Sequence, residues 1–292
     1  KKRVLGLVGE SGCGKTVTGL SILGLIPQPP GKIEQGNIFF EGVDLLTLGD
    51  TGMRRIRGNR ISMIFQEPMT SLNPIFTVGY QIKECLGIHR NISNSEMNER
   101  TAEMLRRVGL PDPGMRMREY PHQMSGGMRQ RVMIAMALCC NPALIIADEP
   151  TTALDVTIQA QIMDLINQIK EDTGTAILLI THDLGVIAEM ADTVAVMYTG
   201  KIVEHASCDD LFDDPMHPYT LGLMQSVPRI NEPLPENKLL EVIPGVVPSL
   251  LQLPSGCSFR ERCPHASKKC QIDPPFFQMT DTHQVRCWLH EK

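Results

Sequence analysis

The chain has 292 residues, enough for one large domain with an appendage or for two domains. It is 42% hydrophobic with a net charge of −5, which permits a sizeable core and gives no support for a nucleic-acid binder, whose footprint is strongly basic. No uncharged apolar run reaches the roughly 18 residues of a membrane helix, and the basic N-terminus leads into a core strand and not a signal peptide, so the chain is expected to be soluble by itself.

Val4–Val8 is short, apolar and bounded by glycine, and reads as a buried strand. Val17–Leu25 reads as a helix. Between them Gly9, Glu10, Ser11, Gly12, Cys13, Gly14, Lys15 and Thr16 fit G-x-x-x-x-G-K-[ST], the phosphate-binding P-loop. Its glycines let the backbone N–H groups turn inward toward phosphate oxygens, and the helix N-terminus adds partial positive charge. Lys15 would reach the β- and γ-phosphates and Thr16 would offer its hydroxyl to Mg²⁺. Val17 closes the predicted nucleotide-binding stretch.

Gly36–Phe40 and Ile61–Phe65 read as strands, with a short polar helix around Asp50–Arg57 between them. The cluster Arg54, Arg55, Arg57 and Arg60 reads as a solvated face. Glu96–Val108 has helical spacing at Met97, Met104, Leu105 and Val108, and residues 112–114 form a loop. Ser125 is placed to cap a helix through Val132, Ile134 and Leu138. A β-α rhythm follows: Leu144–Ala147, a helix over Ile158–Ile169, Thr175–Ile180, a helical turn at Ala188–Ala191, then Thr193–Tyr198 and Lys201–Glu204. Parallel strands with crossover helices are the economical reading. Six prolines between Pro228 and Pro254 predict an extended connector, and a short polar cysteine-rich tail follows.

Two further motifs bear on chemistry. The strand Leu144–Ala147 runs into Asp148 and Glu149. Asp148 is placed as the metal-side carboxylate and Glu149 as the general base that orients and deprotonates the attacking water. Met124, Ser125, Gly126, Gly127, Met128, Arg129 and Gln130 open a helix, with N–H groups and a serine hydroxyl to aim at phosphate.

A Ser-Gly-Gly helix start shortly before an Asp-Glu strand resembles the signature of ATP-binding-cassette (ABC) ATPases. The usual form is Leu-Ser-Gly-Gly-Gln; methionine at the first and last positions resembles the peptide-importer branch. The resemblance implies that Ser125, Gly126, Gly127 and Met128 cap the ATP held by another subunit. It implies that Gln66 belongs to a glutamine loop that ligates Mg²⁺ or water and senses a membrane partner. Ala153, Leu154 and Asp155 match the loop that touches the partner across the dimer, and His182 matches the switch histidine that reaches the γ-phosphate. The family stacks adenine on an aromatic residue well upstream of the P-loop. No residue here takes that role, so the sequence is expected to come from a longer protein.

A second resemblance lies at the end. Residues 214–220, 243–248 and 256–263 look like the C-terminal extension of dipeptide and oligopeptide importer ATPases. Four of the nine cysteines, Cys257, Cys263, Cys270 and Cys287, fall within 31 residues, separated by 5, 6 and 16 residues. Thiolates gathered by a tail with little core suggest a soft-metal site. None has the C-x₂₋₄-C spacing usual for zinc. Peptide-importer ATPases of this kind include some that hold a [4Fe–4S] cluster at these positions. Zinc, with His265 or His283 as substitutes, and free thiols are the alternatives.

The expectation is therefore an α/β, RecA-like P-loop NTPase core with an ABC α-helical subdomain at about 72–139, in a nucleotide-binding domain spanning 1–227. A cysteine-rich extension spans 228–292. The resemblance implies an ATPase powering di- or oligopeptide import at the cytoplasmic face of the membrane. It further implies ATP, Mg²⁺, a second nucleotide-binding subunit, two transmembrane permeases and, indirectly, an extracytoplasmic peptide-binding protein, with no nucleic acid. Other cargo (nickel, sugars or antimicrobial peptides), a soluble ABC ATPase acting on nucleic acid and a P-loop kinase are the rival readings.

Overall fold

The computed structural model describes residues 3–67, 71–152, 155–226 and 242–291. Met69, Ala153, Leu154 and the first three prolines of the connector lie outside the described residues. In chain order the elements begin with β1 (Val4–Val8), α1 (Lys15–Leu23), β2 (Phe39–Phe40), β3 (Val43–Asp44), α2 (Gly49–Ile56) and β4 (Ile61–Ile64). There follow α3 (Val78–His89), α4 (Asn94–Arg107), α5 (Pro113–Arg116), α6 (Gly126–Leu138), β5 (Leu144–Asp148), α7 (Val156–Thr173) and β6 (Ala176–Ile180). The chain closes with α8 (Leu184–Met190), β7 (Thr193–Tyr198), β8 (Lys201–Ser207), α9 (Cys208–Asp213), α10 (Pro218–Gln225), β9 (Phe277–Gln278) and β10 (Gln284–Val285). They form two compact units: Lys1–Arg3 with Thr16–Leu178, and Val4–Lys15 with Leu179–Lys292.

In the first unit β4 and β5 pair in parallel, with Ile61 opposite Leu144. Their side chains are buried on both faces, which is why both strands are continuous apolar runs. Helices α3, α4 and α6 pack on one another through Val78, Ile82, Leu86, Met104, Leu105, Val132 and Leu138, all buried. The sequence reading had no element at α3. Its buried positions do recur at helical spacing, but Tyr80 and Ile88 stand exposed among them and blur the stripe. Helix α7 follows the expected period: Ile162, Leu165, Ile166 and Ile169 are buried, Asp155 caps its start and Gly174, at φ 69°, its end. The strand expected over Gly36–Phe40 shrinks to Phe39–Phe40, which pairs antiparallel with β3, Phe40 opposite Val43.

In the second unit β1 and β7 pair in parallel, Leu5 opposite Thr193. The end of β6 lies beside β1, where Thr181 N–H donates to the Leu7 carbonyl. Strand β8 corrects the all-parallel expectation. It runs antiparallel to β7 along its whole length, out to Ser207 opposite Thr193, and carries β10 and β9 antiparallel beyond it. The cause is the connection: Thr199 and Gly200 both have positive φ (44° and 79°), the turn that reverses a chain in two residues, whereas a parallel pair needs a long crossover.

Candidate functional site

The phosphate loop follows β1. Gly9 has φ 155°, and a Cβ there would collide with the Met197 carbonyl, so the chain leaves the strand along a path open only to glycine. Gly200 N–H donates to the Cys13 carbonyl at 2.8 Å. Lys15 opens α1 and is 6% exposed. A buried ammonium needs partners, and its Nζ finds them in the loop itself, at the Gly9 carbonyl (2.7 Å) and the Glu10 carbonyl (3.1 Å). Cys13 is buried beneath the loop. Burial pushes its thiol up, against a smaller opposing pull from Lys15. Ser11 and Gly12 are exposed. In the same unit His182 follows Thr181, whose N–H bonds to β1, and is exposed. The next residue, Asp183, caps α8 by accepting from Gly185 and Val186 N–H.

The first unit holds the acidic groups. Thr16 Oγ1 donates to Asp148 Oδ1 at 3.2 Å. Asp148, 2% exposed, ends β5. Next to it Glu149 has φ 44°, a left-handed backbone that costs a non-glycine residue energy and re-aims its side chain. Its carboxylate accepts from Gln66 Nε2 at 2.7 Å and from Thr152 Oγ1 at 2.9 Å. Thus Thr16, Gln66, Asp148 and Glu149, drawn from three places in the sequence, form two adjoining hydrogen-bonded pairs. Two oxygen ligands, a hydroxyl and a carboxylate, are what a hard divalent cation takes.

Ser125 Oγ accepts from Met128 N–H and caps α6, leaving Ser125 and Gly126 exposed at the helix start. The buried Gln130 side chain donates to the Pro150 carbonyl, tying this helix to the turn after Glu149. Asp155 is exposed, and its Oδ1 accepts from Ile158 N–H at 2.9 Å.

Cys257, Cys263, Cys270 and Cys287 line a single cavity of about 70 Å³ with Phe259 and Trp288. Cys257 N–H donates to the Cys270 carbonyl at 3.0 Å. Burial pushes the Cys257 and Cys263 thiols up and that of Cys287 to about 11, and their neighbouring thiols add to the rise. Among the described residues no group of three or more His, Cys, Asp or Glu side chains is arranged to hold a metal ion.

Comparison with known proteins decides the family. The family described as ABC transporter matches residues 1–152, and the oligopeptide/dipeptide transporter C-terminal region matches residues 203–270. The chain belongs to the ABC transporter family. It is 56% identical to a probable peptide ABC transporter ATP-binding protein of Sinorhizobium fredii, over 98% of this chain and 85% of that one. It is 52% identical to an oligopeptide transport ATP-binding protein of Bacillus subtilis, over 100% of this chain and 88% of the relative. Among solved structures it resembles a dimeric ATP-binding cassette in a post-hydrolysis state bound to ADP and phosphate. There the TM-score is 0.63 at 28% identity, over 71% of this chain and 86% of that one.

In this ABC ATPase the sequence reading missed two groups at the phosphate loop. Glu10 N–H donates to Tyr219 Oη at 2.8 Å, and the Glu10 carboxylate takes two hydrogen bonds from Arg262. Arg262 sits 252 residues away, beyond any local pattern. The one available signal was an arginine set between Cys257 and Cys263, in a tail otherwise read for its thiols. Among the described residues no helix is long and apolar enough to cross a membrane.

Proposed function

We propose that this chain is the ATP-hydrolysing subunit of an ABC transporter that imports di- or oligopeptides across the cytoplasmic membrane. The observation that carries the cargo class is the match of residues 203–270 to the oligopeptide/dipeptide transporter C-terminal region, beside relatives named for peptide transport. The cassette is read as residues 1–227, with its helical subdomain at about 72–139, and the extension as 228–292.

Each residue then has a role. The N–H groups of residues 9–17 cradle the phosphates. Lys15 exchanges the Gly9 and Glu10 carbonyls for β- and γ-phosphate oxygens. Thr16, Asp148 and Gln66 would hold Mg²⁺, which would neutralise the charge that builds on the transferred phosphoryl group. Glu149, aimed by its left-handed backbone and steadied by Gln66 and Thr152, accepts a proton from the attacking water. His182 donates to the γ-phosphate. Ser125, Gly126, Gly127, Met128 and Asp155 act on the ATP of a second cassette, so hydrolysis needs the pair. Two permease subunits and an external peptide-binding protein complete the transporter, and this chain sits at the cytoplasmic face of the membrane.

The four tail thiols are read as ligands of a [4Fe–4S] cluster. Four cysteines on one cavity are the donor set of such a cluster, whereas zinc would need the sulfurs drawn about a single ion. The cluster would supply a cross-link for the loop and a one-electron redox centre.

The test is reconstitution of this chain with its permeases in vesicles carrying the external binding protein. ATP-dependent uptake of labelled di- and oligopeptides, lost with Glu149→Gln, is the expected result. Uptake of nickel or a sugar in place of peptide would overturn the cargo class, and ATP turnover indifferent to the permeases but stimulated by nucleic acid would overturn the transporter reading.

A further inference from the structure

Glu10 places a carboxylate inside a loop built to receive a triphosphate. Left alone, that anion opposes the ligand the loop is there to bind. The structure supplies its counter-charge from the C-terminal tail. Arg262 Nη1 and Nη2 reach the two Glu10 oxygens at 2.7 and 3.0 Å, the fork-to-carboxylate geometry that lysine cannot reproduce. The arginine side chain is 5% exposed. It lies over the packed Tyr198 and Phe259 rings and donates its Nε proton to the Pro244 carbonyl, so its position is set before any nucleotide arrives.

We infer that Arg262 is a positioning residue for nucleotide binding: it neutralises and fixes Glu10, so that the phosphate loop presents no free anion to the incoming triphosphate. The role rests on the reading that residues 9–17 bind ATP. It gives the tail a task at the nucleotide site that is independent of whatever its thiols hold. Arg262 acts through Glu10 and does not itself touch the phosphates.

The experiment is titration of the full chain with Mg·ATP by calorimetry, for wild type, Arg262→Met, Glu10→Gln and the double variant, each checked for its melting temperature. Arg262→Met exposes the carboxylate and weakens ATP binding about tenfold, ~1.4 kcal/mol. The loss shrinks as salt is raised. Glu10→Gln alone binds ATP more tightly, because it leaves Arg262 as an uncompensated cation beside the loop. In the double variant, removing the anion restores most of the affinity. A merely structural arginine gives a double variant at least as weak as Arg262→Met, and that result overturns the inference. So does wild-type affinity in a folded Arg262→Met protein. If Arg262→Met does not fold, Glu10→Gln decides alone: a tenfold loss there overturns it. Wild-type protein that binds no ATP fails the reading of the phosphate loop instead.

Discussion

The Gln66 amide donates to the Glu149 carboxylate at 2.7 Å across 83 residues of sequence. A carboxylate that is to take a proton from water must be held still, and this amide and the Thr152 hydroxyl both donate to it. Glu149→Gln keeps the shape and the hydrogen-bonding reach but loses the basicity. It should bind ATP with wild-type affinity and hydrolyse it ~10²–10⁴-fold more slowly. Steady-state ATPase rates beside ATP binding measure both, and normal turnover would remove Glu149 from the role of base.

Thr16 and Asp148 form the other pair. The buried Asp148 orients the hydroxyl, and Asp148→Asn should preserve that bond while replacing the carboxylate with an amide. The expected consequence is a ~10–100-fold rise in the Mg²⁺ concentration needed for half-maximal hydrolysis, the scale seen when a metal site's supporting groups are lost. A Mg²⁺ titration of ATPase activity, at saturating ATP, reads this directly. An unchanged midpoint would place the metal elsewhere.

How much of this could be read from the residues varies with range. The phosphate loop, β5 with its acids and the apolar period of α7 are local patterns and stand where expected, while α7 runs beyond Ile158–Ile169 to caps at Asp155 and Gly174 that the period alone does not mark. Strand β8 was read with the wrong direction because its neighbour's identity lay in the two-residue turn at Thr199 and Gly200, which carries no strong turn dipeptide. Helix α3 was missed because its solvent face carries Tyr80 and Ile88. Pairings such as Gln66 with Glu149 or Arg262 with Glu10 join residues that only the folded sheet brings together. The four tail cysteines, whose closeness in a tail with little core predicts that they gather, do line one cavity.

The signature helix makes a prediction about the pair of cassettes. Ser125 and Gly126 are exposed at the start of α6, so a bulky cation at Ser125 leaves the chain's own fold and phosphate loop intact. In the assembled transporter Ser125→Arg should bind ATP normally and lose ~10³-fold or more of its hydrolysis rate, because the missing group acts on the partner's ATP. Mixing Ser125→Arg with Glu149→Gln cassettes tests the sharing: one composite site per mixed dimer keeps both groups, and partial activity returns. No recovery in proven mixed dimers would mean that the two positions serve the same site.

A pH effect follows from His217. It is almost fully buried, and its Nδ1 accepts from Tyr219 N–H, which requires the neutral ring. Burial pushes its pKa from 6.5 down to about 3. The unfolded chain therefore takes up a proton below 6.5 that the native chain refuses. This group's stabilisation is complete above pH 6.5 and falls by up to ~1.4 kcal/mol per pH unit as the pH drops toward 3. His217→Gln retains an acceptor for Tyr219 N–H and should flatten the fall in melting temperature between pH 7 and pH 4. Parallel curves for the two proteins would contradict it.

The tail thiols give the last prediction. Burial, with repulsion from neighbouring thiols, raises Cys257, Cys263 and Cys287, so these three stand protonated at neutral pH and a metal must displace their protons to bind. Loading should therefore release protons and weaken steeply as pH falls. Protein purified without oxygen should carry about four iron and four acid-labile sulfide per chain with a visible absorbance, all lost together on Cys→Ser change at Cys257, Cys263, Cys270 or Cys287. Zinc in place of iron would make the loop a structural clip. Protein that hydrolyses ATP with no metal at all would leave the four cysteines as free thiols around their cavity. The pairing of Arg262 with Glu10, over the Tyr198 and Phe259 rings, uses none of these thiols as a partner.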